Sequence, residues 1–315
     1  MHLFELAELG LTTPSESVPR WALGCFRRRS ITFFTGVEDD ATEVVWLQSR
    51  GLTADFRRPP GTVRLRGPAE LTNHSLSELV TAAQVEGGFA RTRYDGELMH
   101  WSDWASFQTH AKWPEPGRLQ RIGSCLVEFA PSGAYVEDWR SQPAGDGPLL
   151  GLLLLDEVDL ETAAPRHRGG GLIVCGRHAA FVRGRATELP SGTRLESFLQ
   201  ANSRDPSSLG QVFGFDASYG LATAAGDDFE VSLATLPWRL GQPVIELEGF
   251  SHDARTGLVV QHTEVQGRRV RRRFTLDTLE REFTDAGPPA PSLEGRAWFE
   301  READTLLQPR RHRTP

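Results

Sequence analysis

Two hairpins gather the residues of this chain that could do chemistry. The first spans residues 42–59, where two extended runs flank Arg50-Gly51, a tight-turn signal. With those two residues as the turn, Ser49 pairs with Leu52, Gln48 with Thr53, Trp46 with Asp55 and Val44 with Arg57. Directly paired residues share a face, so Val44, Trp46, Gln48, Asp55 and Arg57 lie together. A sheet built only to bury that face would not put Gln, Asp and Arg beside a Trp. The second hairpin turns at Pro131-Ser132-Gly133. A three-residue loop pairs Phe129 with Tyr135, Val127 with Glu137 and Cys125 with Trp139. That face is apolar except for Glu137, and a carboxylate among aromatics is either bonded to a buried Arg or Tyr or has a raised pKa.

A third hairpin, turning at Asp95-Gly96, pairs Tyr94 with Glu97, Thr92 with Met99 and Ala90 with Trp101. It adds Trp101 and, farther back along the strand, Glu86 to the same side, and it turns His100 outward with Arg91 and Arg93. The candidate catalytic residues are therefore Glu137, Asp55 and Arg57. Glu137 or Asp55 would move a proton, and Arg57 would hold an anionic or carbonyl group. Trp46, Gln48, Glu86, Trp101, Tyr135 and Trp139 form the candidate ligand-binding wall, whose aromatics could stack a planar molecule. The competing reading is a core network in which every polar group is satisfied internally. A one-residue slip in any hairpin reverses its faces.

These residues need strands to hold them. Runs with strand character fall near 24–34, 42–48, 53–58, 88–94, 97–103, 119–129 and 134–140. Ser75-Leu76-Ser77-Glu78 is a capping box that opens a short helix ending at Gly87-Gly88. After a Pro- and Gly-rich junction at 142–148 the plan repeats, with strands near 149–157, 170–175 and 178–184. Thr193-Arg194-Leu195-Glu196 reads as a second capping box, and further strands run to about residue 276. Short strands at this spacing predict a mainly β chain of two tandem antiparallel barrels, each with one short capped helix. The expected division is an irregular lead-in at 1–19, a first barrel at 20–141 with the pocket, a second at 149–284 and a largely disordered Pro/Arg-rich tail at 285–315 with room for a short helix near 294–306. The loop 104–117, carrying His110 and Lys112, is long for a hairpin connection and reads as a pocket-mouth loop or as surface packing. The run Arg268 to Arg273 reads as a solvated, edge-protecting strand face, and His178 as a packed core histidine.

At 315 residues, with 31 Gly, 20 Pro and a net charge of −7, the composition argues against a general nucleic-acid binder. Lys112 is the only lysine, which disfavours Schiff-base chemistry. Cys25, Cys125 and Cys175 are widely spaced and read as buried hydrophobes rather than metal ligands or a disulfide framework. Residues 1–10 lack the basic, apolar pattern of a signal peptide, and Leu149 to Leu155 is too short to span a bilayer. A cytoplasmic protein with no membrane partner is expected. Walker A, dinucleotide-binding, zincin and nucleophile-elbow motifs are absent from the sequence, and no cofactor is called for.

Arg28-Arg29-Ser30-Ile31, Thr42 through Gln48, Asp55-Phe56-Arg57-Arg58-Pro59, Glu86 through Ala90, Trp101 and Tyr135 through Trp139 resemble the opening of a group of microbial proteins of uncertain function. That group looks like a two-barrel, lipocalin-like (calycin-like) family with a distant yeast relative. The resemblance covers roughly residues 20–283, weakly after 160, and implies a ligand cavity without assigning catalytic residues. Two functions follow as expectations. One is binding of a small, partly aromatic or apolar molecule in the first barrel. The other is a cofactor-free acid–base enzyme, an isomerase, lyase or cyclase, using the same cavity.

Overall fold

The structure is a computed structural model that describes residues 1–315 except 12, 14–17, 63, 64, 66, 111–114, 191, 227, 285–289 and 308–315. The chain opens with strands β1 (Gly24–Phe33), β2 (Glu38–Asp39), β3 (Glu43–Gln48) and β4 (Leu52–Arg58). Helix α1 (Leu76–Ala82) follows, then β5 (Glu86–Tyr94), β6 (Leu98–Ser106), β7 (Gly117–Ile122), β8 (Cys125–Phe129) and β9 (Tyr135–Gln142). The strands pair antiparallel in the order β2-β1-β3-β4-β5-β6-β7-β8-β9, and β1 also pairs with β9. The sheet therefore closes into an eight-stranded antiparallel barrel, with β2 as a short flap on β1. Such a barrel is compatible with a lipocalin-like fold, and its size leaves an interior just wide enough for side chains or one small ligand.

The second half contains β10 (Leu149–Asp159), β11 (Pro165–Cys175), β12 (His178–Arg185), helices α2 (Leu195–Asn202) and α3 (Pro206–Val212), and β13 (Asp216–Ala222). It continues with β14 (Phe229–Ala234), β15 (Phe250–Asp253), β16 (Leu258–Val265) and β17 (Arg268–Glu280); helix α4 (Leu293–Leu307) comes last. Its order is β14-β13-β12-β11-β10-β17-β16-β15. In each half the first strand pairs with the second long strand and with the last, and helix follows the third long strand. The two halves share a connection plan. They differ in closure: β14 and β15 do not pair with each other, and β14 instead bonds residues 241–244 of the intervening segment, with Val231 N donating to Gln242 O and Val244 N to Phe229 O. Two closed barrels were expected, and one is present. The segment between β14 and β15 carries Pro237 and Pro243, which cannot donate to a ladder, and folds in part as a 3-10 turn at Pro237–Arg239.

The halves share one hydrophobic core. Val45, Leu47, Ala54, Phe56 and Phe89 point out of the barrel and pack with Ile173, Ala180, Val182, Ala217 and Tyr219 of the second sheet. This is why β3 is buried on both faces instead of alternating. The tip of the first hairpin docks on β17: Ser49 Oγ lies 3.0 Å from Asp277 Oδ2 and Arg50 N donates to Thr278 Oγ1 at 3.1 Å. Inside the barrel, Phe26, Val44, Trp46, Met99, Leu119, Leu126 and Trp139 form a separate core. No described helix is long and apolar enough to cross a membrane.

Several local expectations need correction. Ser75 forms its capping box with Glu78, but Thr193 does not cap α2; Arg194 precedes that helix and its side chain makes no capping bond. Gly87 and Gly88 lie inside β5, not at a helix end. A Cβ on Gly87 would sit 2.6 Å from Thr235, so that glycine lets the two halves approach. The Arg268–Arg273 strand is central, paired on both sides by β10 and β16, and Arg272 is buried. Cys25 and Cys175 are buried, whereas Cys125 is half-buried, and none of the three forms a disulfide. The residues Lys112 and Pro309 to Arg313 lie outside the described set.

Candidate functional site

The first hairpin folds as its turn dictates: Gln48 pairs with Thr53, Trp46 with Asp55 and Val44 with Arg57. Trp46, Asp55 and Arg57 thus face the barrel interior together. On the Asp95-Gly96 hairpin the register is two residues off the expected one, with Thr92 opposite Trp101 and Tyr94 opposite Met99. An even shift keeps the faces, so Trp101 still points inward. His100 faces out and pairs with Asp95 at 2.7 Å.

The β8–β9 hairpin departs by one residue. Ala130 N bonds Tyr135 O, so the loop holds four residues, 131 to 134. Glu128 then stands opposite Glu137, and Leu126 opposite Trp139. The odd slip turns Cys125, Val127 and Phe129 away and brings Glu128 in. A Cβ on Gly117 of β7 would lie 2.9 Å from Glu128 Oε1, so that glycine makes room for the carboxyl.

Two bulges finish the site. Trp101 and Trp104 are three apart and would face opposite ways on a regular strand. The β5–β6 ladder shifts between Phe89 and Arg91, and Asp103 adopts φ 53°. The added residue reverses the alternation and lays the Trp104 ring over Gly88, where a Cβ would come within 3.0 Å of it. On β1 the register shifts between Arg28 and Ser30, and the buried Arg28 guanidinium reaches Glu137.

The resulting cavity is about 40 Å³ and is lined by Trp46, Thr53, Asp55, Arg57, Trp101, Trp104, Glu115, Glu128, Tyr135, Glu137 and Trp139. That volume holds a few water molecules or a few heavy atoms; drug-sized sites run to roughly 300–1,000 Å³. Trp46 meets Trp139 at a ring distance of 5.5 Å and Trp101 at 6.4 Å, both edge-on. Trp104, 43% exposed, stands at the outer end.

The charges divide unevenly. Glu137, 1% exposed, receives Arg28 Nη1 at 2.8 Å and Arg57 Nη1 at 3.4 Å. Arg57 also donates to Asp55 at 3.1 and 3.0 Å. Burial works against the Arg57 charge, but Asp55 and Glu137 outweigh it and hold its pKa above the ordinary value. Glu128, 5% exposed, has no ion-pairing cation among the described residues; its hydrogen bond is a long one, 3.5 Å, from the Tyr135 hydroxyl. Burial and the neighbouring Glu137 push its pKa up to about 8, against weaker attraction from Arg57 and the Trp139 indole. Like charges directly opposite on a sheet are unfavourable, so at neutral pH one of the pair carries a proton, and that one is Glu128. Burial and the same two carboxylates raise the Tyr135 hydroxyl well above its ordinary range.

Of the residues expected from sequence, Trp46, Asp55, Arg57, Trp101, Tyr135, Glu137 and Trp139 come together around this cavity. Gln48 and Glu86 do not line it. Gln48 is fully buried behind it, accepting from the Trp46 indole at 3.2 Å and donating to the Ser49 and Leu52 carbonyls. Glu86 pairs across the ladder with Arg57 and adds to the field on that guanidinium. Sequence reading did not single out Glu128, Arg28 or Thr53, although Thr53 was accessible as the partner of Gln48. Trp104 and Glu115, which line the cavity, lie in the 104–117 stretch read as a pocket-mouth loop or as surface packing, but neither was named as a site residue. His110 is exposed and outside the lining. His178 is a core residue that bonds the Tyr219 hydroxyl at 2.9 Å and Pro143 O at 3.0 Å, tying the junction to the second sheet.

A larger open cleft of about 300 Å³ lies between the halves, lined by Glu43, Arg58, Pro59, Pro60, Pro237 and Leu240 among others. Its charges are paired: Glu43 binds both Arg27 and Arg58. Among the described residues no group of side chains is arranged to hold a metal ion. No protein-family model, curated protein or solved structure matches the chain.

Proposed function

We propose that the first barrel binds a small, partly aromatic or apolar molecule in the cavity between Trp46, Trp101, Trp104 and Trp139. The observation that carries this reading is Glu128, a buried carboxyl with no ion-pairing cation among the described residues, set in an aromatic-lined opening that reaches the surface at Trp104. A purely structural core would be more stable with an apolar side chain there, because burying an unpaired carboxyl costs several kcal/mol. The lipocalin-like resemblance supports the same reading. It would place the chain with the two-barrel family and its yeast relative, as a cytoplasmic protein.

A second reading has its own support. A buried carboxyl with a raised pKa, Glu128, opposite an arginine-paired carboxylate, Glu137, is an arrangement suited to acid–base chemistry. In a cofactor-free isomerase, lyase or cyclase, Glu128 would give the proton, Asp55 or Glu137 would receive one, and Arg57 would offset developing negative charge.

The test is to denature the purified protein and identify co-eluting small molecules by mass spectrometry, beside a screen of fragments by tryptophan fluorescence. A stoichiometric compound, or a fragment that perturbs the indoles, supports the cavity. Conversion of that compound on incubation selects the enzyme reading. An empty protein whose fluorescence no fragment alters overturns both.

A further inference from the structure

The cavity's charge ledger and its aromatic walls together name a class of ligand. Four carboxyl side chains line it, Asp55, Glu115, Glu128 and Glu137, against one guanidinium, Arg57. Arg57 is already committed to Asp55 and Glu137. Arg28, behind the wall, divides itself between Glu137 and Asp39 at 2.8 Å each. Among the described residues, the cations near the site thus ion-pair with carboxylates other than Glu128.

The walls around Glu128 suit positive charge. A cation over an indole face is attracted by the ring, more strongly when water is excluded, and four tryptophans plus Tyr135 line this cavity. Trp139 supplies a second observation. Its indole N–H is buried and makes no hydrogen bond, yet it lies close enough to draw on the Glu128 carboxyl. Ionised Glu128 would have that donor and the Tyr135 hydroxyl. Among the described residues no cation is paired with it, and Arg57 acts on it only from its bonds to Asp55 and Glu137.

Resting on the small-molecule reading, we infer that the cavity recognises an organic ammonium group, with the cation seated against Glu128 and among the indoles and the apolar part of the ligand directed past Trp104. The cavity volume suits a primary ammonium with a short alkyl chain; larger amines require Trp104 to move aside. Binding then couples to ionisation of Glu128. The groups that face it are Glu137 and Tyr135 on β9, Arg57 and Asp55 on β4, and Glu115 at the mouth. β7 sets Leu119 opposite it and Gly117 beside it, neither of which titrates. Glu128 is protonated in the empty site and gives its proton to solvent when the ammonium arrives.

Three probes of similar size separate the possibilities: propylammonium, 1-propanol and acetate, titrated by calorimetry and tryptophan fluorescence. Propylammonium should bind, release up to one proton at pH 7 when heats in two buffers are compared, and gain roughly tenfold in affinity between pH 6 and 7 before levelling above pH 8. Glu128→Gln, which keeps the shape of the neutral acid, should lose at least tenfold in propylammonium affinity while 1-propanol binding is unchanged. Binding of 1-propanol or acetate in preference to propylammonium would overturn the ammonium assignment and leave the cavity reading standing. Silence from all three probes would remove both. Equal propylammonium affinity in Glu128→Gln, with no proton release by the wild type, would also overturn the assignment.

Discussion

Glu128 and Glu137 stand directly opposite each other across the β8–β9 ladder, and only Glu137 holds arginines. The unfolded chain would ionise Glu128 near the ordinary carboxylate pKa of 4.5, whereas the native state resists ionisation to about pH 8. A folded pKa raised above the unfolded one, for an acid, is a penalty that is absent below pH 4.5 and grows up to pH 8. Each unit is about 1.4 kcal/mol, so by pH 8 the penalty is several kcal/mol. The Glu128→Gln variant escapes it. Urea denaturation should show the variant gaining on the wild type steadily from pH 5 to pH 8. A constant difference over that range would contradict a protonated native Glu128.

The Arg28 ion pair gives a second expectation. Arg28 is buried beside Glu137 and bonds it at 2.8 Å. Removing one partner of a buried pair leaves an uncompensated charge and typically costs about 3–5 kcal/mol. Arg28→Met should lose about that much, and Arg28→Met with Glu137→Gln should recover most of it. A double-mutant cycle by chemical denaturation measures the coupling; additive losses would mean that Arg57 alone satisfies Glu137.

Trp104 lies over Gly88 at the cavity mouth and is partly exposed. Trp104→Ala should cost little stability, about 1–2 kcal/mol, and leave a hole of indole shape. Free indole should quench or shift the remaining tryptophan fluorescence of the variant and leave the wild type unaffected. Equal responses in both proteins would show that Trp104 does not limit the opening.

The second half has a titrating group of the opposite sign. His167 Nδ1 lies 3.0 Å from Gly184 O, and burial, with Arg183 nearby, pushes its pKa down to about 4. The unfolded chain takes up a proton near pH 6.5 and the native state does not, so stability falls as the pH drops from about 6.5 to 4. His167→Gln should flatten that acid limb by about 2–3 kcal/mol. Melting temperatures of both proteins at pH 4.5 and pH 7 measure it; parallel losses would exclude His167 as the cause.

Beside His167, Glu157 is fully buried, accepts hydrogen bonds from Arg272 at 2.6 Å and Arg183 at 3.1 Å, and has the Arg166 charge at 3.2 Å. Burial alone would raise its pKa, but Arg183 and Arg272 more than reverse that and hold it far below the usual carboxylate range. Glu157→Gln would leave those guanidiniums facing one another and is expected to abolish cooperative folding or cost about 3–5 kcal/mol, read by near-ultraviolet circular dichroism and urea titration. A loss under 1 kcal/mol would mean that solvent, not Glu157, neutralises the arginines.

What was legible in the sequence followed loop length. Arg50-Gly51 permits one register, so Trp46, Asp55 and Arg57 could be placed on one face from the chain alone. The Pro131 loop admits three or four residues with similar turn signals, and the difference decided whether Glu128 or Val127 faces Glu137. Bulges were invisible: nothing at Asp103 or Arg29 announces an added residue, yet these set the positions of Trp104 and Arg28. Most strands and the helix after the third long strand were readable in both halves through periodicity and the Ser75 cap, but the single run read at 119–129 is two strands, β7 and β8, and helix α3 was not foreseen. The open seam of the second sheet was not, because strand signals describe single runs and closure depends on whether two distant edges meet. The Arg-rich strand misled for a related reason. Charge suggested an edge, but buried Glu157 and Asp159 supply the partners that let arginines occupy a central strand.

The strands that carry Trp46, Asp55 and Arg57 inward carry Val45, Leu47 and Phe56 outward into the other half. The barrel therefore has no independent existence as a product of proteolysis or gene truncation. Severed within 143–148, it would show water a continuous apolar stripe and would aggregate rather than persist as a binding module. For the same reason a change at Ala217 or Thr235, which lie against Gly87, is transmitted through one strand's thickness to the lining of the cavity. Screens for altered ligand preference should therefore recover substitutions in the second half as well as in the first.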